Sequence, residues 1–105
     1  MIVVKVGMVI HRGRREEAIS LLRERDKILE KEGVPSASRM YVRKVASAGS
    51  PEIIREYEFK NFTDYESSWS KRMQPTEDSK RWSAKFDALV VPGTMGYEIY
   101  ELLKS

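Results

Sequence analysis

His11 is the single histidine of the chain, and cysteine is absent. A multi-histidine metal site, a thiol nucleophile, a cysteine-ligated metal and a disulfide are therefore all excluded. His11 itself has a side chain whose ordinary pKa suits proton transfer at physiological pH, which makes it the one candidate general base of that kind. A histidine in a solvated turn needs no such role. Arg25 is the second residue of interest. Counted at ~3.6 residues per turn from Ala18 and Leu22, it falls inside an apolar stripe, with Asp26 at the edge. A guanidinium there must reach outward or find an acceptor. Two acceptors are open: an anionic group of a ligand such as a carboxylate, or a sheet carboxylate among Glu56, Glu58 and Glu98. Tyr41, Tyr57, Trp69, Trp82, Tyr97 and Tyr100 form an aromatic set that suits either a flat apolar ligand or ordinary core packing. Glu56 and Glu58 lie on one strand face, where paired carboxylates can serve acid–base chemistry or pair with Lys5, Arg39 or Arg43 across an interface. No spacing suits a metal, and Gly93 and Gly96 do not form a phosphate-cradling loop, so no metal and no cofactor is expected.

The elements that must position these residues follow from periodicity. Residues 2–10 alternate, with Val4, Val6, Met8 and Ile10 on one face and Val3, Lys5, Gly7 and Val9 on the other, as in a strand. After the turn at His11-Arg12-Gly13 the period becomes helical over 14–32, with Ala18, Leu21, Leu22, Ile28 and Leu29 sharing a face. Gly33 and Pro35 stop that helix. Strands are predicted over 39–46 and 52–60, joined around Ala48-Gly49-Ser50-Pro51 as a hairpin. Thr63-Asp64-Tyr65-Glu66 has the form of a capping box for a helix bearing Tyr65, Trp69 and Met73. Pro75 interrupts it, and Thr76-Glu77-Asp78 starts a further helix with Trp82, Phe86 and Leu89. Pro92-Gly93 precedes a last strand over 94–103.

Composition narrows the class. A chain of 105 residues has room for one core, so residues 1–105 are read as a single domain. The net charge of +3 is spread over interleaved signs (Arg23-Glu24-Arg25-Asp26-Lys27) with no basic run and no nucleic-acid module, so no nucleic-acid partner is expected. The apolar start is too short to span a membrane and lacks a cleavage signature, which places the expectation at a cytoplasmic protein without a membrane partner.

Two strand–helix–strand units in tandem, each with a right-handed crossover, give a ferredoxin-like α+β fold: βαββαβ, with a four-stranded antiparallel sheet and helices on one face. The other face should be polar if water covers it. Instead large apolar groups occupy both faces of every strand: Met40 and Val42 alternate with Tyr41, and Tyr97 and Ile99 with Tyr100 and Leu102. That pattern predicts a homodimer through the open sheet face, related by a two-fold axis.

The stretches "REYEFKNFTDYESSW" and "RWSAKFDALVVPGTMGYEIYELL", set in this layout, resemble the NIPSNAP-like proteins of the dimeric α+β barrel superfamily. The resemblance covers the whole chain in layout and is specific over the second half. It implies a barrel-like homodimer with a cavity between sheet and helices. The expectation that follows is a protein binding a small apolar or aromatic ligand there, through Arg25, Tyr41, Tyr57, Trp69, Trp82 and Tyr97. The alternative is a cofactor-independent monooxygenase or isomerase acting on a small aromatic or polyketide-like substrate.

Overall fold

A computed structural model describes residues 1–47, 49–72 and 75–103. Its elements in chain order are β1 (Ile2–Met8), α1 (Arg15–Lys31), β2 (Arg39–Val42), β3 (Ile53–Phe59), α2 (Phe62–Arg72), α3 (Glu77–Asp87) and β4 (Gly96–Glu101). The strands form one sheet in the order β2-β3-β1-β4, every pair antiparallel. The two central strands are β1 and β3, and each crossover carries the chain over one intervening strand to an edge of the sheet. This is the ferredoxin-like α+β arrangement.

Register decides which side chain meets the helices. Val4 lies between Tyr57 and Ile99, Val6 between Arg55 and Tyr97, and Met8 opposite Ile53. Cross-strand partners share a face. One face therefore carries Ile2, Val4, Met8, Ile53, Tyr57 and Phe59, all buried. Against it pack Ala18, Leu22 and Leu29 of α1, together with Phe86 of α3 and Leu89 just beyond it. Each of the larger side chains stabilises the fold by roughly 1.5–3 kcal/mol through burial, and Ala18 by less. A second apolar group, Ile2, Val4, Tyr57 and Phe59, packs under Tyr65 and Trp69 of α2.

Helix ends follow local chemistry. Gly33 has φ +72°, the left-handed conformation that ends α1. Its N–H bonds the Glu30 carbonyl and the Val34 N–H bonds the Leu29 carbonyl. Thr76 caps α3 by accepting from the Ser79 N–H at 3.2 Å. The start of α2 corrects the sequence reading. Asn61, not Thr63, is the cap: its Oδ1 accepts from the Asp64 N–H at 2.8 Å, and Thr63 lies inside the helix. Asparagine is as good a cap as threonine, and the asparagine comes first in the chain. Met73, expected on this helix, lies outside the described residues, as does Ala48 of the hairpin turn.

All four strands are shorter than alternation suggested, the third by only one residue at each end. The first ends at Met8, although Ile10 still bridges Val90; the second ends at Val42 and the last at Glu101. The end of β1 is instead tied by Glu52, just before β3. Its backbone N–H donates to the Met8 carbonyl at 2.8 Å. Its carboxylate accepts from the Ile10 N–H at 3.2 Å and from Arg15 Nε at 2.6 Å. One buried side chain thus joins β1, α1 and the β2–β3 hairpin. Burial alone would push this carboxyl up. The Arg15 hydrogen bond, the Ile10 N–H and the Arg15 and Arg43 charges outweigh burial and hold it below its ordinary value.

Candidate functional site

The second crossover is split into α2 and α3, which pack in different places. Trp69 of α2 lies over Tyr57 with ring centroids 6.2 Å apart. On α3, Trp82 stacks on Phe86 at 4.7 Å and donates its indole N–H to the Leu21 carbonyl of α1. Between these two anchor points, under the helices and over β1, β3 and β4, lies a cavity of about 220 Å³. Tyr57, Trp69, Trp82, Phe86 and Tyr97 supply its rings. Tyr97 stands edge-on to Trp69 at 5.8 Å and is 59% exposed, so it sits at the mouth. The mouth lies at β4, whose six residues are all exposed.

Of the six residues singled out as ligand contacts, four line this cavity: Tyr57, Trp69, Trp82 and Tyr97. Tyr41 does not. Its partner in the ladder is Ile54, which faces away from the helices, and its hydroxyl bonds Glu56 on that open face. Arg25 is buried in the same layer but behind Trp82. Its Nη1 donates to Ser79 Oγ at 2.6 Å, and its guanidinium lies 5.2 Å from the Trp82 ring. A sheet carboxylate is not its acceptor, because the α1 stripe turns Arg25 towards α3 rather than towards the sheet. Burial, and then the neighbouring Arg72 charge, pull its pKa below the ordinary value. His11 is exposed in the β1–α1 turn, outside the cavity lining. Glu56 is held within its own chain by Tyr41, Lys5 and Arg39, the last two at 4.0 and 3.8 Å.

Sequence reasoning missed two arginines. Arg55 is 3% exposed on β3 and lines the cavity; its guanidinium pairs with Asp26 and lies 5.3 Å from the Tyr57 ring. The signal was available as parity, since Ile53, Tyr57 and Phe59 place residue 55 on the same face. Arg72, three residues after Trp69 on α2, also lines the cavity. Its Nη2 donates to the Tyr57 hydroxyl at 2.6 Å, and its guanidinium lies 4.4 Å from the Tyr57 ring and 4.9 Å from Trp69. Such cation–ring contacts contribute about 0.5–2 kcal/mol each and hold the rings in place. Among the described residues, no three histidine, aspartate or glutamate side chains converge as a metal site, and no helix is long and apolar enough to cross a membrane.

No protein-family model matches the chain, and neither does any curated protein. Solved structures do. A crystal structure of an Agrobacterium tumefaciens protein superposes with a TM-score of 0.78 at 10% identity, over 99% of this chain and 95% of the other. An uncharacterised NIPSNAP-like domain protein of Burkholderia xenovorans gives 0.76 at 9% identity, over 97% and 84%. A NIPSNAP family protein of A. tumefaciens gives 0.68 at 18% identity, over 99% and 92%. At these identities the likeness is one of fold, and it extends over the full length of the chain.

Proposed function

We propose that this chain, built on the fold of the NIPSNAP-family structures, is a homodimeric binding module that holds a small, flat, apolar or aromatic molecule between sheet and helices. The observation that carries the reading is the cavity of about 220 Å³ walled by Tyr57, Trp69, Trp82, Phe86 and Tyr97. An apolar cavity of about 150 Å³ already accommodates benzene, so this one suits a one- or two-ring molecule. The rings are set by hydrogen bonds and stacking before any ligand arrives, which reduces the entropy lost on binding. The competing reading, a cofactor-independent oxygenase or isomerase, needs a proton acceptor beside its substrate. His11 stands elsewhere; at the cavity wall the groups that could take a proton are the Asp87 carboxylate and the Tyr57 hydroxyl, which accepts from Arg72.

The dimer is supported by the other sheet face. Tyr41 and Tyr100 are 42% and 46% exposed there, next to half-buried Val3 and Ile54. Lys5, Arg39, Glu58 and Glu98 supply charges of both signs on the same surface, so a second copy turned by a two-fold axis meets a complementary pattern. Native mass spectrometry of the freshly purified full chain tests both parts. The expected species is a dimer carrying a small-molecule adduct that is lost on denaturation. A monomer at micromolar concentration would refute the assembly. A protein that neither carries nor takes up any aromatic compound would refute the binding role.

A further inference from the structure

Resting on the binding role above, the geometry points to a ligand with a carboxylate: we infer that the cavity takes a flat aromatic acid, its acid group held by Arg55 and Arg72. Both guanidiniums line the cavity and approach the same Tyr57 ring, at 5.3 and 4.4 Å. Arg55 is buried, and its Nε–H has no acceptor among the described residues. A buried donor without a partner is costly, and a charged one more so. Its Nη2 is already taken by Asp26, so that carboxylate leaves the Nε side of the fork unmatched. Arg72 uses one donor on the Tyr57 hydroxyl and lies at the cavity wall. Arg25 adds a third guanidinium just behind Trp82. Against these three cations the same layer sets Asp26 on Arg55 and Glu32, which reaches Ser79, the group that Arg25 also bonds. Asp87 is at the cavity wall on α3 and is exposed. Two of the three guanidiniums thus face carboxylates directly or through Ser79, Asp87 is the one carboxylate on the wall among the described residues, and the rest of the wall is largely aromatic. A carboxylate placed there would accept one charge-assisted hydrogen bond from each guanidinium, while the rings accept a planar body.

The probes are 2-naphthoate and its neutral, nearly isosteric amide, titrated into the full chain at pH 7 and followed by calorimetry. The acid is expected to bind at least about tenfold more tightly than the amide. In Arg72→Met, a change at a half-exposed position, the acid-to-amide preference should shrink to within about twofold, whatever the change in amide affinity itself. Arg55→Lys retains charge but not the planar donor set and should lower acid affinity more than amide affinity; circular dichroism confirms that each variant is folded. Equal binding of acid and amide by the unaltered chain overturns the acid assignment and leaves the aromatic pocket standing. Binding of neither at millimolar concentration overturns the pocket reading and this inference together.

Discussion

Replacing Glu52 with glutamine isolates the charge at the junction of β1, α1 and the hairpin. Glutamine keeps the volume, and its amide oxygen can still accept from the Ile10 N–H, so the 3.2 Å bond has a substitute. What disappears is the charge-assisted bond to Arg15 Nε at 2.6 Å. A hydrogen bond to a charged group contributes about 1.5–3 kcal/mol when well shielded. Here the Arg15 side chain is 40% exposed and its charge is partly screened, which places the loss at about 1.5 kcal/mol. For a domain of this size that is a fall in Tm of about 6–12 °C. The pH dependence has a definite sign. The folded carboxyl titrates below its ordinary value, so its contribution is complete above the unfolded pKa of about 4.3 and fades as pH drops through the lower folded value. Scanning calorimetry at one fixed protein concentration, from pH 7 to pH 3, should show a Tm gap between the parent and Glu52→Gln that closes on acidification. Equal melting at pH 7 would refute the role of the charge, and so would a gap that stays constant to pH 3.

Other substitutions separate further claims. Asn61→Ala should cost about 1 kcal/mol in urea unfolding, whereas Thr63→Ala should stay within about 0.5 kcal/mol; the reverse order would restore the threonine as the cap. Gly7→Ala should destabilise by about 1–3 kcal/mol in the same assay, because the new Cβ would sit 3.0 Å from Pro51 Cβ, and a neutral result would show that the hairpin loop yields. Tyr100→Glu should weaken the proposed dimer at least about tenfold in sedimentation equilibrium; an unchanged dissociation constant would remove the open face from the interface.

The layout of the fold was legible because each element announces its own period. Val4, Met8, Tyr57 and Phe59 alternate as a half-buried sheet requires, and Ala18, Leu22 and Leu29 recur as a helix stripe requires. Pro75 marked the division of the second crossover, and with it the two anchor points that frame the cavity. Strand ends were less legible. Arg43 still donates its N–H to the Glu52 carbonyl beyond the end of β2, so composition there remains strand-like while the ladder stops. The site was partly legible for a different reason. A ring on the inner face reads the same whether it fills a core or walls a cavity, so Tyr57 and Trp82 could be named but not given a role. Tyr41 illustrates the sensitivity to register: one position along β2 moves a side chain to the opposite face. Arg25 could be placed inside the helix layer, but its partner Ser79 is 54 residues away and no local pattern links them.

The bareness of β4 has a consequence for behaviour at high concentration. The sheet ends on β4 at one side and β2 at the other, and uncovered edges of this kind invite filament growth. Here the two edges differ in sign. β4 carries Glu98 and Glu101, while β2 opens on Arg39 and is followed by Arg43 and Lys44. Like edges repel one another. Unlike edges attract, but β2 offers a ladder of only four residues. Sheet extension is therefore blocked by charge in one pairing and by length in the other, and this chain can keep a sticky face without polymerising along its edges.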